Sequence, residues 1–472
     1  MSDLPNGWTM VIGLEVHTEL LTKTKLFSGA PNEFGGEPNT CLDPTSLGLP
    51  GSLPVLNRKA VELAIRIGLA LECSVRRSVF ARKNYFYPDQ PKDYQISQYD
   101  LPINSDGRLE LPNGKVIGIT RAHLEEDTGK SSHSGGGGRI HDAVYTLVDY
   151  NRAGVPLLEI VSEPDLRTAD EAKAYVVELR SILVAVGASD GKMEEGSMRV
   201  DANVSVRRGE SEPFGTRCEV KNVNSIRSLG RAIEYEARRQ IDLLEAGEPV
   251  HQQTRHWNED EGRTISLRSK EEATDYRYFA DPDLVELDPD PEWIEEIRAS
   301  LPVLPRRRRA LLSERTGASV EASVLVVERG LDELVLAALD AGGDAGRLIT
   351  HAEHNLSDER AGRLSPSNLA DLTTMEVGGQ LTATQAKTVL AEMVDTGDAP
   401  DVIAARNGFE AMESSELEGI VDDVIAANPG DWAAFCAGEN KVMGFFVGQV
   451  MKATGGQADG RSVSAILNQR RG

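Results

Sequence analysis

The sequence predicts an α+β domain over residues 1–295, an all-α helical domain over 296–398 and a small α-helical tail over 399–472. Three observations predict it. Up to about residue 290, short period-two runs and amphipathic helical stretches alternate in irregular order, which fits α+β packing better than a strict βαβ repeat. DPDLVELDPDPEW (281–293) then carries three prolines and LPVLP (301–305) two more, which sets a boundary near 295. Beyond it almost every segment has helical spacing, with a second break at GDAP (397–400).

IGLEVHTEL (12–20) reads as the first strand. Gly13, Glu15, His17 and Glu19 share one face, and Ile12, Leu14 and Val16 the other. VYTLVDY (144–150) and RVDANVSVR (199–207) alternate in the same way. TADEAKAYVVELRSILVAVGA (168–188) is a helix. Thr168 with Glu171 opens it as a capping box, Tyr175, Leu179, Ile182 and Val186 line its buried face, and Gly187 stops it. A second helix starts at Ser225 (224–248). In the helical part, SNLADLTTMEV (367–377) and TATQAKTVLAEMVDTG (382–397) are the clearest examples. The only low-complexity segment, SSHSGGGGR (131–139), is a flexible connection rather than a phosphate cradle, because it lacks GxGxxG spacing after a strand.

Composition narrows the function classes. A chain of 472 residues exceeds one hydrophobic core, and 40% hydrophobic with 27% charged residues describes a globular protein. No apolar run approaches the roughly 20 residues that span a bilayer, and the N-terminus lacks a secretory pattern, so the expected location is cytoplasmic with no membrane partner. Cys41, Cys73, Cys218 and Cys436 are scattered, without a CxxC. The net charge of −24 argues against broad nucleic-acid coating, although residues 430–472 hold five Lys and Arg against three acids, and PRRRRALL (305–312) is a second basic run.

Polar residues gather in a few stretches of the first domain. HLEEDTGK (123–130) packs His123, Glu125, Glu126 and Asp127 together. DYNRAGVPLLEIVSEPD (149–165) isolates Glu159 in an apolar run, where an acid is costly unless paired or metal-bound. KMEEGSMRVDANVSVR (192–207) and CEVKNVNS (218–225) add more acids, Arg199, Asn203 and Lys221. Carboxylates with an imidazole suit a hard divalent cation, and interleaved Lys and Arg suit phosphoryl oxygens. Each piece also has a plain reading: strand Glu15 and His17 as a wet face, EEDTGK as a charged turn. TGKSS (128–132) is no P-loop, because Leu124 stands where GxxxxGK[ST] needs glycine. HExxH is absent, so zinc-protease chemistry loses support.

IGLEVHTEL, RKNYFYPDQPKDYQISQ (82–98), HLEEDTGKS, DYNRAGVPLLEIVSEPD, KMEEGSMRVDANVS, EVKNVNS and DYRYFADPDL (275–284) occur in that order. Together they resemble the B subunit family of glutamine-dependent aspartyl/glutamyl-tRNA amidotransferases, and GFFVGQVMKATGGQA (444–458) is similar to that family's YqeY-like tail. The resemblance implies a glutamine synthetase/guanido kinase-like catalytic domain. That domain phosphorylates the side-chain carboxylate of Glu-tRNA(Gln) or Asp-tRNA(Asn) with ATP, and ammonia then displaces the phosphate. It places a Mg²⁺ and phosphate site on Glu15, His17, Glu126 and Glu159. Lys83 is expected beside the phosphates, and Arg199, Asp201, Asn203 and Lys221 are expected near ATP or the aminoacyl group. Glu19 keeps the wet-face reading. The resemblance also implies a glutaminase A subunit and a small C subunit in a heterotrimer, with a tRNA-binding tail. Some members hold zinc with a CxxC before LGLPG; here that loop has only Cys41, so no structural zinc is expected. The alternative reading is a non-catalytic, tRNA-binding scaffold.

Overall fold

The computed structural model describes all residues except 1–3, 6, 136–142, 210, 267–275, 358–360, 410–413, 455–457, 459 and 472. Most of the expected Gly135–Gly138 connection therefore lies outside the described residues, as do Asp275 of DYRYFADPDL and residues 455–457 of the tail motif. The chain forms two compact units, Met1–Pro305 and Arg306–Gly472.

In the first unit the strands are β1 (Trp8–Glu19), β2 (Ser74–Val75), β3 (Ala81–Asn84), β4 (Tyr94–Ser97), β5 (Asn104–Glu110), β6 (Val116–Glu126), β7 (Lys130–Ser134), β8 (Tyr145–Asp149), β9 (Pro156–Ser162), β10 (Met198–Arg208), β11 (Cys218–Val223), β12 (Thr254–Asn258), β13 (Arg263–Ser266) and β14 (Phe279–Ala280). Four helices interrupt them: α1 (Arg58–Ala70), α2 (Ala169–Ala185), α3 (Ile226–Glu245) and α4 (Pro291–Ala299). Twelve strands make one mixed sheet in the order β13-β12-β11-β10-β1-β9-β6-β4-β3-β14, with β5 on β6 and β2 on β5; β7 and β8 pair separately. Neighbours run antiparallel, except that β11 and β12 are parallel.

Period two divides this sheet into two chemically different faces. Ile12, Leu14 and Val16 of β1 are buried, and beside them lie Leu158 and Ile160 of β9, Ala122 and Leu124 of β6, and Val200, Ala202 and Val204 of β10. All join one core with Val61, Ile65, Tyr175, Leu179, Leu229 and Ile233 from α1, α2 and α3. Thr168 starts α2 by accepting the Glu171 N–H at 3.1 Å, and Ser225 starts α3 by accepting the Ser228 N–H at 3.1 Å. Glu171 does not complete a capping box, since its carboxylate accepts from the Arg167 N–H and from Lys115 Nζ, both at 2.7 Å.

The prolines near 290 end the strands but start a helix. Asp290 caps α4 with Pro291 in its first turn, and Ile297 packs in the first core. The boundary expected at 295 thus falls inside α4, and the units part at Pro305.

The second unit is helical: α5 (Pro305–Thr316), α6 (Val320–Glu328), α7 (Asp332–Asp340), α8 (Ala345–His354), α9 (Pro366–Val377), α10 (Ala383–Thr396), α11 (Pro400–Arg406), α12 (Ser414–Ala427), α13 (Pro429–Cys436), α14 (Met443–Ala453) and α15 (Gly460–Arg471). It has two hydrophobic cores. Gly397 ends α10 with φ +78°, and Pro400 opens α11, whose Ile403 and Ala404 return to the first of these cores. The second begins only at Leu417. The basic run 305–312 is partly spent on structure, since Arg308 donates to both Asp332 carboxylate oxygens and Arg309 is buried. Among the described residues, no helix is long and apolar enough to cross a membrane.

Candidate active site

The face of the sheet away from the helices carries the charged side chains. Strand register assembles them: His17 of β1 stands opposite both Glu159 of β9 and Arg199 of β10, and Glu15 stands opposite Asp201. One strand further out, His123 of β6 stands opposite Glu159, and Glu125 opposite Ser97.

His17, Glu125 and Glu159 form the centre. Their ligand atoms all lie within 4.8 Å of one another. His17 Nε2 is 3.4 Å from Glu159 Oε2 and 3.8 Å from Glu125 Oε1, while His123 Nε2 is 3.6 Å and 3.8 Å from the same two carboxylates. Two like charges 4.8 Å apart repel by roughly 3.5 kcal/mol at an effective dielectric of 20. The two acids therefore need a proton or a cation between them. Burial and the Glu159 charge push the Glu125 carboxyl up to about 7. Burial opposes charge on His17, but its hydrogen bond to Glu159 and the charges of Glu125 and Glu159 outweigh that and push it up to about 9. Complete burial pulls His123 down to about 4, and its Nδ1 has no hydrogen-bond partner. Glu159, although buried, is held well below the usual carboxylate range by His123, His17 and Arg121.

Around this centre lie the basic groups. Lys83 Nζ is 4.8 Å from the Tyr276 ring centroid and acts electrostatically on Glu125 and His123. On the other side, Lys221 bridges Asp201 at 2.8 Å and Glu219 at 2.9 Å. Asn203 Nδ2 donates to Glu15 Oε1 at 2.9 Å. Burial and the charges of Glu159 and Glu219 raise the Glu15 carboxyl.

Arg199 turns to Asp127, donating at 2.7 Å. Glu19 joins these two and is pushed up to about 7 by burial and by Asp127, so it is not a plain wet-face acid.

Of the residues expected from the sequence, Glu15, His17, Glu159, Arg199, Asp201, Asn203 and Lys221 share this face, with Lys83 at its edge. Glu126 does not. It follows Glu125 on β6 and turns to the opposite side, where Lys92 Nζ grips its oxygens at 2.5 and 2.6 Å and the Ile96 N–H donates at 3.0 Å. Glu125 takes the place expected for Glu126. His123, Arg121, Asp127 and Glu219 also belong to the site. Period two carried back and forward from Glu125 gives His123, Arg121 and Asp127, and carried back from Lys221 it gives Glu219.

The donor set suits a hard cation: one imidazole, two carboxylates, a third carboxylate at Glu15, and no thiolate. A helix-backed sheet with such a face can hold a cation beside lysine and arginine side chains. Comparison with known proteins specifies the family. The GatB/GatE catalytic domain family matches residues 10–295 and the GatB domain family residues 345–470. Similar chains are the aspartyl/glutamyl-tRNA(Asn/Gln) amidotransferase subunits B of Synechococcus elongatus (46% identical, covering 98% of this chain and 97% of that one), Anaeromyxobacter sp. (47%, 99% and 99%) and Halorhodospira halophila (47%, 98% and 99%). The chain belongs to the GatB/GatE family.

Proposed function

We propose that this chain is the carboxylate-activating subunit of a tRNA-dependent amidotransferase, a carbon–nitrogen ligase with glutamine as amido donor. The observation that carries the reading is the His17–Glu125–Glu159 cluster, flanked by Lys83 and Lys221, on the open face of the sheet of a GatB/GatE-family chain. A side-chain oxygen of Glu-tRNA(Gln) or Asp-tRNA(Asn) attacks the γ-phosphorus of ATP, and ADP leaves. Ammonia then adds to the acyl carbon, and phosphate leaves with loss of a proton. The first step is needed because a free carboxylate is a poor acyl donor.

Mg²⁺ held by His17, Glu125 and Glu159, with Glu15 beside them, would neutralise and orient the transferring phosphoryl group. Lys83 and Lys221 supply further positive charge on either side of it. Asp201 and Glu219 hold Lys221 in place, and Asn203 fixes the Glu15 carboxylate. The glutamine synthetase/guanido kinase-like fold is supported by the sheet that buries one face under helices and leaves the other for chemistry. Ammonia is assigned to a partner glutaminase A subunit, with a small C subunit completing a cytoplasmic heterotrimer. The helices from Ser414 onward are assigned to the tRNA. The test is to co-purify the chain with its partners and supply labelled misacylated tRNA, ATP, Mg²⁺ and glutamine. Amidated aminoacyl-tRNA is the expected product, and amidation of free glutamate without tRNA would overturn the reading.

A further inference from the structure

The two lysines that flank the cation cluster sit in the only two Lys–Asn steps of the sequence, Lys83–Asn84 on β3 and Lys221–Asn222 on β11. We propose that Asn84 and Asn222 are positioning residues, each fixing its preceding lysine beside the His17–Glu125–Glu159 cluster by clamping the strand to a neighbouring segment. This inference rests on the proposed carboxylate activation and gives the two asparagines a part in it.

On β11 the device is a bulge. Val200 of β10 stands opposite Val223 and Ala202 opposite Val220, so Lys221 and Asn222 together stand opposite the single residue Asp201. Val220 and Val223 are both buried in the core. Regular alternation would put Lys221 and Val223 on the same face. The extra residue returns Val223 to the core while Lys221 stays on the polar face. Asn222 absorbs it with φ +65°, a left-handed conformation that asparagine tolerates better than most residues with a side chain. Its amide secures the turn on β12: Nδ2 donates to the Trp257 carbonyl at 3.2 Å and lies 3.0 Å from His256 Nε2. Lys221 thereby meets Asp201, the residue opposite Glu15 in the β1–β10 ladder.

On β3 the left-handed residue lies across the clamp rather than within it. β14 pairs with β3 at Phe279–Arg82 and Ala280–Ala81, and just before β14 Arg277 takes φ +45°. Asn84 spans this kink. Its N–H donates to the Tyr276 carbonyl at 3.0 Å, and its Nδ2 donates to the carbonyls of Tyr276 and Arg277, both at 2.9 Å. The clamp fixes Tyr276, and Lys83 Nζ lies 4.8 Å from the centroid of that ring, where the π-face attracts the ammonium. A non-glycine residue held at positive φ persists only where its surroundings over-determine it, as they do at functional sites. Here both such residues are held by an asparagine amide next to a lysine of the site.

The test is a pair of double-mutant cycles in the assembled complex, reading tRNA-dependent ADP formation and the KM for misacylated tRNA. Asn84→Ala and Asn222→Ala should each lower kcat about tenfold and leave the tRNA KM within about twofold of wild type. Asn222→Gly, which keeps the left-handed backbone, should recover most of the loss. In a Lys221→Ala background Asn222→Ala should cost less than about a further twofold, and likewise Asn84→Ala in Lys83→Ala. Each asparagine change should keep its full cost beside the other lysine's substitution. Wild-type kcat in either alanine variant, equal losses in Asn222→Gly and Asn222→Ala, or losses undiminished beside the matching lysine substitution would each overturn the inference. Wild-type ADP formation by both Lys83→Ala and Lys221→Ala would remove the underlying reading of the site and the inference with it. Impaired lysine variants with unimpaired asparagine variants would remove the inference alone.

Discussion

His17 Nε2 lies 3.4 Å from Glu159 Oε2, between residues that are direct partners in the β1–β9 ladder. A strand pair therefore sets their separation, not a loop, so the first two ligands of the site are as rigid as the sheet. Glu125 completes the group from β6, on the far side of β9.

Glu125→Gln and Glu159→Gln each remove one charged oxygen donor while keeping the shape. Amidation by the complex should fall at least a hundredfold, with tRNA affinity within twofold of wild type. A Mg²⁺ titration should move to higher concentration in both variants. Filter binding and steady-state kinetics check this; wild-type Mg²⁺ dependence in either variant would remove that residue from the cation site.

Glu126 separates the structure from the simpler sequence expectation. Its carboxylate is neutralised by Lys92 on the other side of β6. Glu126→Gln should leave the Mg²⁺ dependence where it is, and should lower thermal stability, because the nearly buried Lys92 ammonium loses its charged partner. A shift in Mg²⁺ dependence as large as that of Glu125→Gln would contradict the placement.

That contrast shows where sequence reading works and where it stops. The clean alternation of IGLEVHTEL puts Glu15 and His17 on one face of a strand, and only the family resemblance singles them out as site residues. Glu159 was legible because it interrupts an apolar run. HLEED offers two adjacent acids at a strand end, and which one faces the site is decided by the pairing of His123 with Glu159, a contact 36 residues away in sequence. Arg199 and Asp127 meet across 72 residues, which no local pattern encodes. Pro291 and Pro400 read as breaks, and each opens a helix that packs back on the preceding core.

Glu236 gives a pH-dependent test of the scaffold. It lies on the buried face of α3 and accepts from Arg239 at 2.6 and 2.9 Å, Gln240 at 2.9 Å and Thr264 at 3.0 Å. Burial raises its carboxyl, but these donors and the charges of Arg239 and Arg255 outweigh that and hold it below 4.5. Its stabilisation is thus complete above the unfolded value and disappears as pH falls through the lower folded value. Glu236→Gln should cost about 3 kcal/mol at pH 7 by leaving buried arginines uncompensated, and the gap to wild type should close as pH falls from 5 toward 3. Urea midpoints across that range check it; a gap that stays constant would contradict the assignment.

The last hydrophobic core starts at Leu417, and Ile403 belongs to the one before it. Truncation after Phe409 should therefore leave a folded protein with weakened tRNA binding, whereas truncation after Asp398 should also destabilise the helices that remain. Gel shifts with misacylated tRNA and thermal melts distinguish the two cuts.

The most direct measurement is ADP release by the assembled complex, with no ammonia source, as a function of misacylated tRNA. The account predicts Mg²⁺-dependent ADP formation that needs Glu-tRNA(Gln) or Asp-tRNA(Asn) and disappears in Glu159→Gln. ADP release that ignores the aminoacyl group, or that persists at the wild-type rate in Glu159→Gln, would contradict carboxylate activation on this face of the sheet.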